Sequence, residues 1–454
     1  MAEWCAENLR NCDGWKTAGL PLSTTCDENA KLLDSCIRQL VSLTDCDAMG
    51  GFEKTCEKLA ASDPEAIMSR AFLVGLAALG GKEAANAEKF GNEREKRHVR
   101  AAVLWGKGKH HEAGEAWDSI LDDHPTDLIA LRFSHDAHFF NGSAKGLLNA
   151  IEKVIGKWDA SMPCYSFLYG MQAFALEESG KYKDAEASAR QALDMNRYDC
   201  WASHAIAHVM EMNGRHREGK EFMYRTEDDW KKGWMLSTHN YWHTALFHIE
   251  YAEYEDALDI FDREVGNRFN RTNMLLDMTD ACSLLWRLEL EGVKVGKERW
   301  EKIKRLGEHI DNHSIVFNDV HIGLALCRQD DLGTEKKLRD SLGEYSSLLT
   351  EDNAKISKTI GVPLYDGMLS YARGNYDTAV ETKFPIRKNV VQIGGSHAQR
   401  DLFAQTLIQS AILSNDPKNW SLAPQLLLER EAVKLNSHLG QRLADKYRIV
   451  HSIR

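Results

Sequence analysis

The chain has few of the features that mark membrane or secreted proteins. It contains only 8 prolines among 454 residues, and no apolar run approaches the roughly 18 residues that a membrane span needs. The first residues, MAEWCAENLRNCDGW, are polar and acidic and contain no apolar signal core. We therefore expect a cytoplasmic protein without a membrane partner. The scarcity of proline favours a mostly helical chain.

Several common functional motifs are also missing. None of the 10 cysteines forms C-x-x-C, which excludes a zinc ribbon and a thioredoxin-type redox site. In a cytosolic chain we expect these cysteines to be free, mostly packed thiols. H-E-x-x-H, P-loop and Rossmann patterns are absent. Because the net charge is −11 and no basic stripe offsets it, we predict that the chain has no nucleic-acid partner.

What the sequence does contain is a degenerate repeat. It reads GKHHEAGEAWDSILDDHP at Gly108, GKYKDAEASARQALDMNR at Gly180 and GNYDTAVETKFPIRKN at Gly374. Gly108 to Gly142 and Gly180 to Gly214 are each 34 residues apart, the period of the tetratricopeptide repeat. The sequence therefore predicts an all-α fold, an α-solenoid of degenerate tetratricopeptide (helix-turn-helix) repeats with C-terminal capping helices.

Four segments follow from the strength of this repeat. Residues 1–97 are expected to form an N-terminal helical region, of which the polar stretch 80–97 is a loop and a helix start. Residues 98–265 hold the regular repeats, and residues 266–405 hold degenerate helical repeats. Residues 406–454 are expected to be the capping helices that cover the last apolar face of a solenoid.

The clearest candidate site is a cluster of histidines. Six of the 18 histidines fall between residues 204 and 248, and His204/His208 and His239/His243 are each spaced i, i+4, which places each pair on one helix face. The repeat register puts His204, His208, Glu211 and His239, together with Asp136, on the concave face of three consecutive first helices.

Three interpretations of this cluster stay open. The histidines could form a polar groove wall, a binding site for a small molecule or peptide, or a metal-dependent or acid–base catalytic site. The candidate metal ligands are His204, His208, His239 and His243, and the candidate catalytic residues are His204, His239 and Asp136. Asn240, Asp280, Asn318 and Asp319 could complete a first or second shell.

Eight stretches of the chain carry a family resemblance. They resemble, in order, motifs of the tetratricopeptide repeat protein 38 family, and they are LPLSTT, DHPTDLIALRFSHDA, AHVMEM, HNYWHTAL, EYEDAL, EGVKVG, FNDVH and GGSHAQRD. The resemblance implies a helical-repeat fold and a cytosolic or soluble setting, but no particular activity. His138 and His397 depart from the family pattern. The motif residues that match are His135, Asp136, His204, His208, Glu211, His239, Asn240, His243, Asn318, Asp319, His321, Arg400 and Asp401.

The leading hypothesis is a binding protein with a polar, histidine-lined concave pocket, closed by the C-terminal helices, for a small molecule or peptide. The alternative is a metal-dependent or acid–base enzyme that uses the same pocket. A structural assembly factor, in which the histidines are incidental, is a third class. A bound divalent metal and a homo-oligomer are both compatible with the sequence.

Overall fold

Helices account for the regular structure of this chain. A computed structural model describes residues 2–79 and 91–452. Within those ranges there is no β-strand, and one isolated bridge pairs Thr44 with Gly233. None of the helices in the described ranges is long and apolar enough to cross a membrane. The all-α prediction is confirmed.

The chain divides into two compact units, Met1–Ala205 with Asp228–Leu236, and Ile206–Glu227 with Ser237–Arg454. The division predicted from sequence into four segments stays a prediction. The helices that begin in the first unit, apart from α14, are α1 (Cys12–Thr17), α2 (Asp27–Ser42), α3 (Phe52–Ser62), α4 (Ile67–Leu79), α5 (Glu93–Gly106), α6 (His110–Asp123), α7 (Leu128–Phe140), α8 (Ala144–Ile155), α9 (Tyr165–Glu178), α10 (Tyr182–Met195) and α11 (Cys200–Met212).

Helix α11 ends in the second unit, and helices α13 and α14 each contain residues of both units. The remaining helices are α12 (His216–Arg225), α13 (Glu227–Trp230), α14 (Met235–Glu250), α15 (Tyr254–Ile260), α16 (Gly266–Thr272), α17 (Leu275–Leu290), α18 (Lys297–Trp300), α19 (Val316–Arg328), α20 (Leu332–Tyr345), α21 (Asp352–Ile356), α22 (Val362–Ala372), α23 (Tyr376–Lys383), α24 (His397–Leu413), α25 (Pro417–Trp420), α26 (Ala423–Val433) and α27 (His438–Ser452).

The repeat glycines end the first helix of each hairpin. A positive φ, which glycine adopts at little steric cost, reverses the chain there, and the residues with this conformation are Gly108, Gly142, Gly180, Gly214 and Gly374. Ala252 takes the same place after α14 with a φ of 59°. Gly292 and Asp330 do so after α17 and α19. The hairpins therefore continue through the region in which the sequence repeat is weak.

Small residues let the two helices of a hairpin approach each other. Ala113 and Ala185 are 0% exposed, as expected for positions where a larger side chain would separate the helices. Trp117 and Phe261 are also fully buried and fill the space between helices. This is the packing that the repeat pattern predicts.

Helix starts agree with the sequence at one place and differ at another. Ser396 caps α24 in a capping box with Gln399, as its position before the helix predicts. The cap of α2 is Cys26, although Ser23, Thr24 and Thr25, just before it, are residue types that favour cap positions. In the polar stretch 80–97, residues 80–90 lie outside the described ranges.

The second unit also buries a lysine without a counter-charge. Lys383, at the end of α23, is 2% exposed, and its Nζ donates to the carbonyl oxygen of Phe403 at 3.1 Å. Among the described residues, no carboxylate forms an ion pair with it. Burial alone therefore lowers the pKa of Lys383 well below its usual value.

Lys383→Met is expected to remove a pH dependence of stability. Because the folded pKa is depressed, the unfolded chain binds the proton more readily as pH falls below about 10.4. As pH rises from 7 to 9, the wild type should then gain up to about 1.4 kcal/mol of unfolding free energy per pH unit relative to the variant. Chemical denaturation of both proteins at pH 7, 8 and 9 measures this. A constant difference across that range would contradict a neutral, buried lysine.

Candidate functional site

Three histidines of the second unit converge from two helices. His208 lies on α11, and His239 and His243 lie one turn apart on α14. Each offers a ring nitrogen, and these nitrogens lie within 4.8 Å of one another. The ring centroids of His208 and His243 are 4.4 Å apart, and those of His239 and His243 are 4.8 Å apart. The three side chains, here called the histidine cluster, are 0–3% exposed.

Two buried carboxylates orient two of these rings. The Nδ1 of His239 donates to both oxygens of Asp280, on α17, at 2.9 Å. The Nδ1 of His243 donates to Oε2 of Glu211, on α11, at 3.0 Å. A proton fixed on Nδ1 places the lone pair on Nε2. Carboxylates that hold histidine rings in this way are typical outer partners of metal ligands.

Burial keeps two of the three rings, those of His208 and His243, uncharged. Burial lowers the pKa of His208 well below its usual value, and the neighbouring rings of His243 and His239 lower it further. Burial lowers the pKa of His243 to about 4, although its bond to Glu211 acts in the opposite direction. Neutral imidazole is the form that binds a metal ion or accepts a proton, so His208 and His243 are ready for either role at neutral pH.

A lysine from near the C-terminus completes the surroundings of Glu211. The Nζ of Lys434, whose side chain is 3% exposed, donates to Oε1 of Glu211 at 2.6 Å. Burial raises the pKa of Glu211, but the Lys434 ammonium and the bond from His243 outweigh it and hold that pKa below its usual range. Burial likewise lowers the pKa of Lys434, and the charges of Glu211, Asp401 and Glu250 reverse the shift. Glu211 therefore stays ionised between a cation and an imidazole.

The amide of Asn240 is a further polar group on α14. Asn240 is 0% exposed, and within the described part of the chain neither its Oδ1 nor its Nδ2 has a hydrogen-bond partner. A buried amide without partners costs roughly 1–3 kcal/mol. The residue after His239 therefore offers an unused donor and acceptor in the interior of this unit.

The first unit contains the other predicted histidines. His204 lies one turn before His208 on α11, and its ring packs 5.1 Å from that of Phe174. His135 lies 6.1 Å from Phe174 and 5.6 Å from Trp201, and burial lowers its pKa to about 3. Asp136 accepts from Arg132 at 2.9 Å. His135 and His204 thus pack against aromatic rings, and Asp136 pairs with Arg132.

Several predicted site residues do not join the histidine cluster. Asp319 accepts from His313 at 2.9 Å, and the Nδ1 of His321 donates to the carbonyl oxygen of Phe317 at 2.8 Å. Asn318 is half-buried on the same helix. Asp319 and His321 thus bond to partners within six residues in sequence, and the role of these three residues in a site stays a prediction.

Arg400 and Asp401 also have other partners. Arg400 donates to the carbonyl oxygen of Gly395, so it fixes the loop before α24. Asp401 accepts two bonds from Arg430, at 2.8 and 2.9 Å. Asp401 nevertheless reaches the surroundings of the site, because Lys434 lies 3.6 Å from it. It contributes to the charge network and not to the cluster itself.

The histidine cluster lies in the interior of the second unit. His208, Glu211, His239 and His243 are all buried, and the Nζ of Lys434, from a distant part of the sequence, donates to Glu211. A register within one repeat predicts the face of a helix but not what later packs on that face. Lys434 carries no local sequence signal for this role, since it lies 223 residues after Glu211.

No protein-family model matches this chain. Structures of helical-repeat proteins do match, at 12% identity. A human IFIT1 dimer with m7Gppp-AAAA covers 86% of this chain and 96% of its own, with a TM-score of 0.35. A human IFIT1 dimer with PPP-AAAA covers 99% and 100%, with a TM-score of 0.41. A monomeric IFIT1 mutant with Gppp-AAAA covers 91% and 99%, with a TM-score of 0.35.

The prediction that the chain has no nucleic-acid partner is withdrawn. The proteins in all three structures are bound to capped or triphosphate RNA. The physical reason for the error is that a net charge of −11 is a sum over the whole chain. Such a sum does not describe where cationic side chains lie. The chain is a helical-repeat protein with a tetratricopeptide-type, all-α fold.

Proposed function

We propose that this chain is a binding protein whose histidine cluster holds a divalent first-row transition-metal ion. The observation that carries the proposal is the set of three buried imidazoles, His208, His239 and His243, with ring nitrogens within 4.8 Å of one another. Asp280 and Glu211 support it, because each fixes one ring through Nδ1. Imidazole nitrogen suits zinc, copper, iron and nickel ions.

The surroundings fit an ion better than they fit three packed side chains. Three neighbouring imidazoles bring polar nitrogens into a dry interior, where apolar side chains would pack at a lower desolvation cost. A tetrahedral ion with bonds of roughly 2.1 Å needs its nitrogen ligands roughly 3.4 Å apart. The ring nitrogens, which lie within 4.8 Å of one another, would have to approach each other by up to roughly 1.4 Å to reach that spacing.

A metal-dependent enzyme is the second candidate, because the carboxylates Asp280 and Glu211 hold two of the rings as outer partners do in catalytic metal sites. The unpartnered amide of Asn240 favours a polar ligand in the same unit. The binding of a small molecule or peptide is therefore part of the proposal, with the ion as its anchor.

We also propose membership of the tetratricopeptide repeat protein 38 family and a cytoplasmic location. The motif HNYWHTAL, which supports the family, supplies both α14 histidines of the cluster. The 10 cysteines are unpaired in the structure, which suits a reducing compartment. The nearest pair, Cys36 and Cys56, has sulfur atoms 3.8 Å apart.

The proposal is tested by zinc titration of chelator-treated protein. Wild type is expected to bind one Zn²⁺ per chain, and His239→Ala and His243→Ala are each expected to lose at least tenfold in affinity, because each removes one ligand. Competition with a chromogenic zinc chelator measures the dissociation constant.

The control is His321→Ala, which removes another buried histidine of the same unit. Its Nδ1 donates to a backbone carbonyl group, so zinc affinity should stay within about twofold of wild type. Equal affinities of wild type, His239→Ala and His243→Ala would contradict the proposed ligands. A wild-type chain that takes up none of zinc, iron, copper or nickel would contradict the proposed function itself.

A further inference from the structure

One short segment caps both helices that carry the histidine cluster. Residues 434–442, here called the C-terminal strap, lie at the C-terminal ends of α11 and α14. The backbone N–H of Leu435 donates to the carbonyl oxygen of Met212, the last residue of α11, at 3.1 Å. Arg442 donates to the carbonyl oxygens of Ile249 and Glu250, the last residues of α14, at 2.7 Å each.

These bonds satisfy groups that a helix leaves open. The last four carbonyl groups of an α-helix have no partner inside that helix, and helix caps usually come from the next few residues. Here the caps come from the other end of the unit. Because a single segment bonds to both helix ends, docking of the strap fixes the distance between α11 and α14.

The strap also reaches the outer partners of the site. Lys434 donates to Glu211 at 2.6 Å, and Glu211 in turn accepts from His243 at 3.0 Å. Ser437 donates to Glu250 at 3.0 Å, and the backbone N–H of Leu439 donates to the same carboxylate at 3.0 Å. The chain of bonds from strap to cluster thus runs Lys434, Glu211, His243.

We propose that the C-terminal strap regulates metal binding at the histidine cluster, with Lys434 as a positioning residue. This inference rests on the proposed function. When the strap is docked, Lys434 holds Glu211 and Glu211 holds the ring of His243. When the strap leaves, Glu211 loses its cation and α11 and α14 lose their common cap. Docking and metal binding therefore favour each other.

The strength of this coupling follows from its parts. Loss of an outer hydrogen-bond partner of a metal ligand typically weakens metal affinity by about 10- to 100-fold. Coupling between two binding events is reciprocal at equilibrium. If docking of the strap raises the metal affinity by a given factor, metal binding must raise the equilibrium constant for strap docking by the same factor. A purely structural role of Lys434 does not produce this second effect.

The test compares Lys434→Met with Lys446→Met in the full chain. Lys446 lies on α27 and donates to Gln409 at 2.6 Å, so it is a lysine of the same region that does not contact Glu211. Zinc affinity is measured by chelator competition. Lys434→Met is expected to bind Zn²⁺ about 10- to 100-fold more weakly than wild type, and Lys446→Met within about twofold.

A second measurement uses wild type alone and remains decisive if Lys434→Met does not fold. Hydrogen–deuterium exchange of residues 434–442, followed by mass spectrometry, is compared with and without Zn²⁺. Zinc is expected to slow the exchange of the strap at least tenfold. A wild type that binds zinc with no change in strap exchange, or a folded Lys434→Met with wild-type affinity, would overturn the strap proposal alone. No zinc binding by wild type would overturn both proposals.

Discussion

Replacement of Asp401 with asparagine is expected to lower the free energy of unfolding by about 3–5 kcal/mol. The side chain of Asp401 is 9% exposed and bonds to Arg430 through both oxygens. Lys434 and Arg287 each lie 3.6 Å away. Asparagine would leave these buried cations without their shared anion. Denaturation in guanidinium chloride, followed by tryptophan fluorescence, measures the change.

The matched control is Asp366→Asn. Asp366 also pairs with an arginine, Arg339, at 2.6 Å, but its side chain is 42% exposed. An exposed pair contributes only about 0–1 kcal/mol, because water screens the charges. Similar losses for the two variants would mean that the Asp401 network is not a buried ion network that holds the second unit together.

Zinc is expected to stabilise the wild-type protein by about 4.1 kcal/mol when free zinc is present at about 1,000 times its dissociation constant. The reason is that the unfolded chain does not bring His208, His239 and His243 together, so the ion binds the folded state. Thermal and chemical unfolding with and without zinc measure the gain. His321→Ala should show the full gain, whereas His239→Ala, if tenfold weaker, should gain only about 2.7 kcal/mol at the same zinc concentration.

An equal gain in wild type and His239→Ala would place the ion elsewhere on the chain. If saturating zinc does not raise the unfolding free energy of wild type, the ion does not bind the folded chain more tightly than the unfolded chain. Either outcome would contradict a site built from helices α11 and α14, because that site exists only when those helices pack together.

The helical repeats could be predicted from the sequence because their signals are local. A glycine at a positive φ and an alanine between helices act within one hairpin, as Gly180 and Ala185 show. Where the glycine is replaced, as at Ala252 and Asp330, the same turn forms but the sequence pattern fades. The helical hairpins therefore continue into parts of the chain where the glycine pattern that predicts them is lost.

The histidine cluster could be predicted in part. The i, i+4 pairs place His239 and His243 on one face of a helix, and the carboxylates Glu211 and Asp280 are visible as nearby acidic residues in the repeats. The role of Lys434 could not be predicted, because it lies 223 residues after Glu211 and no local pattern links the two. The residues around His321 remain a prediction, since a shared motif does not by itself imply spatial proximity.

The most direct test of the metal site is the metal content of the purified, untagged protein, measured by elemental analysis beside a His239→Ala/His243→Ala variant. We expect close to one transition-metal ion per wild-type chain and almost none in the variant. The same trace content in both proteins, with wild type unable to take up added metal, would contradict a metal-binding function for the histidine cluster.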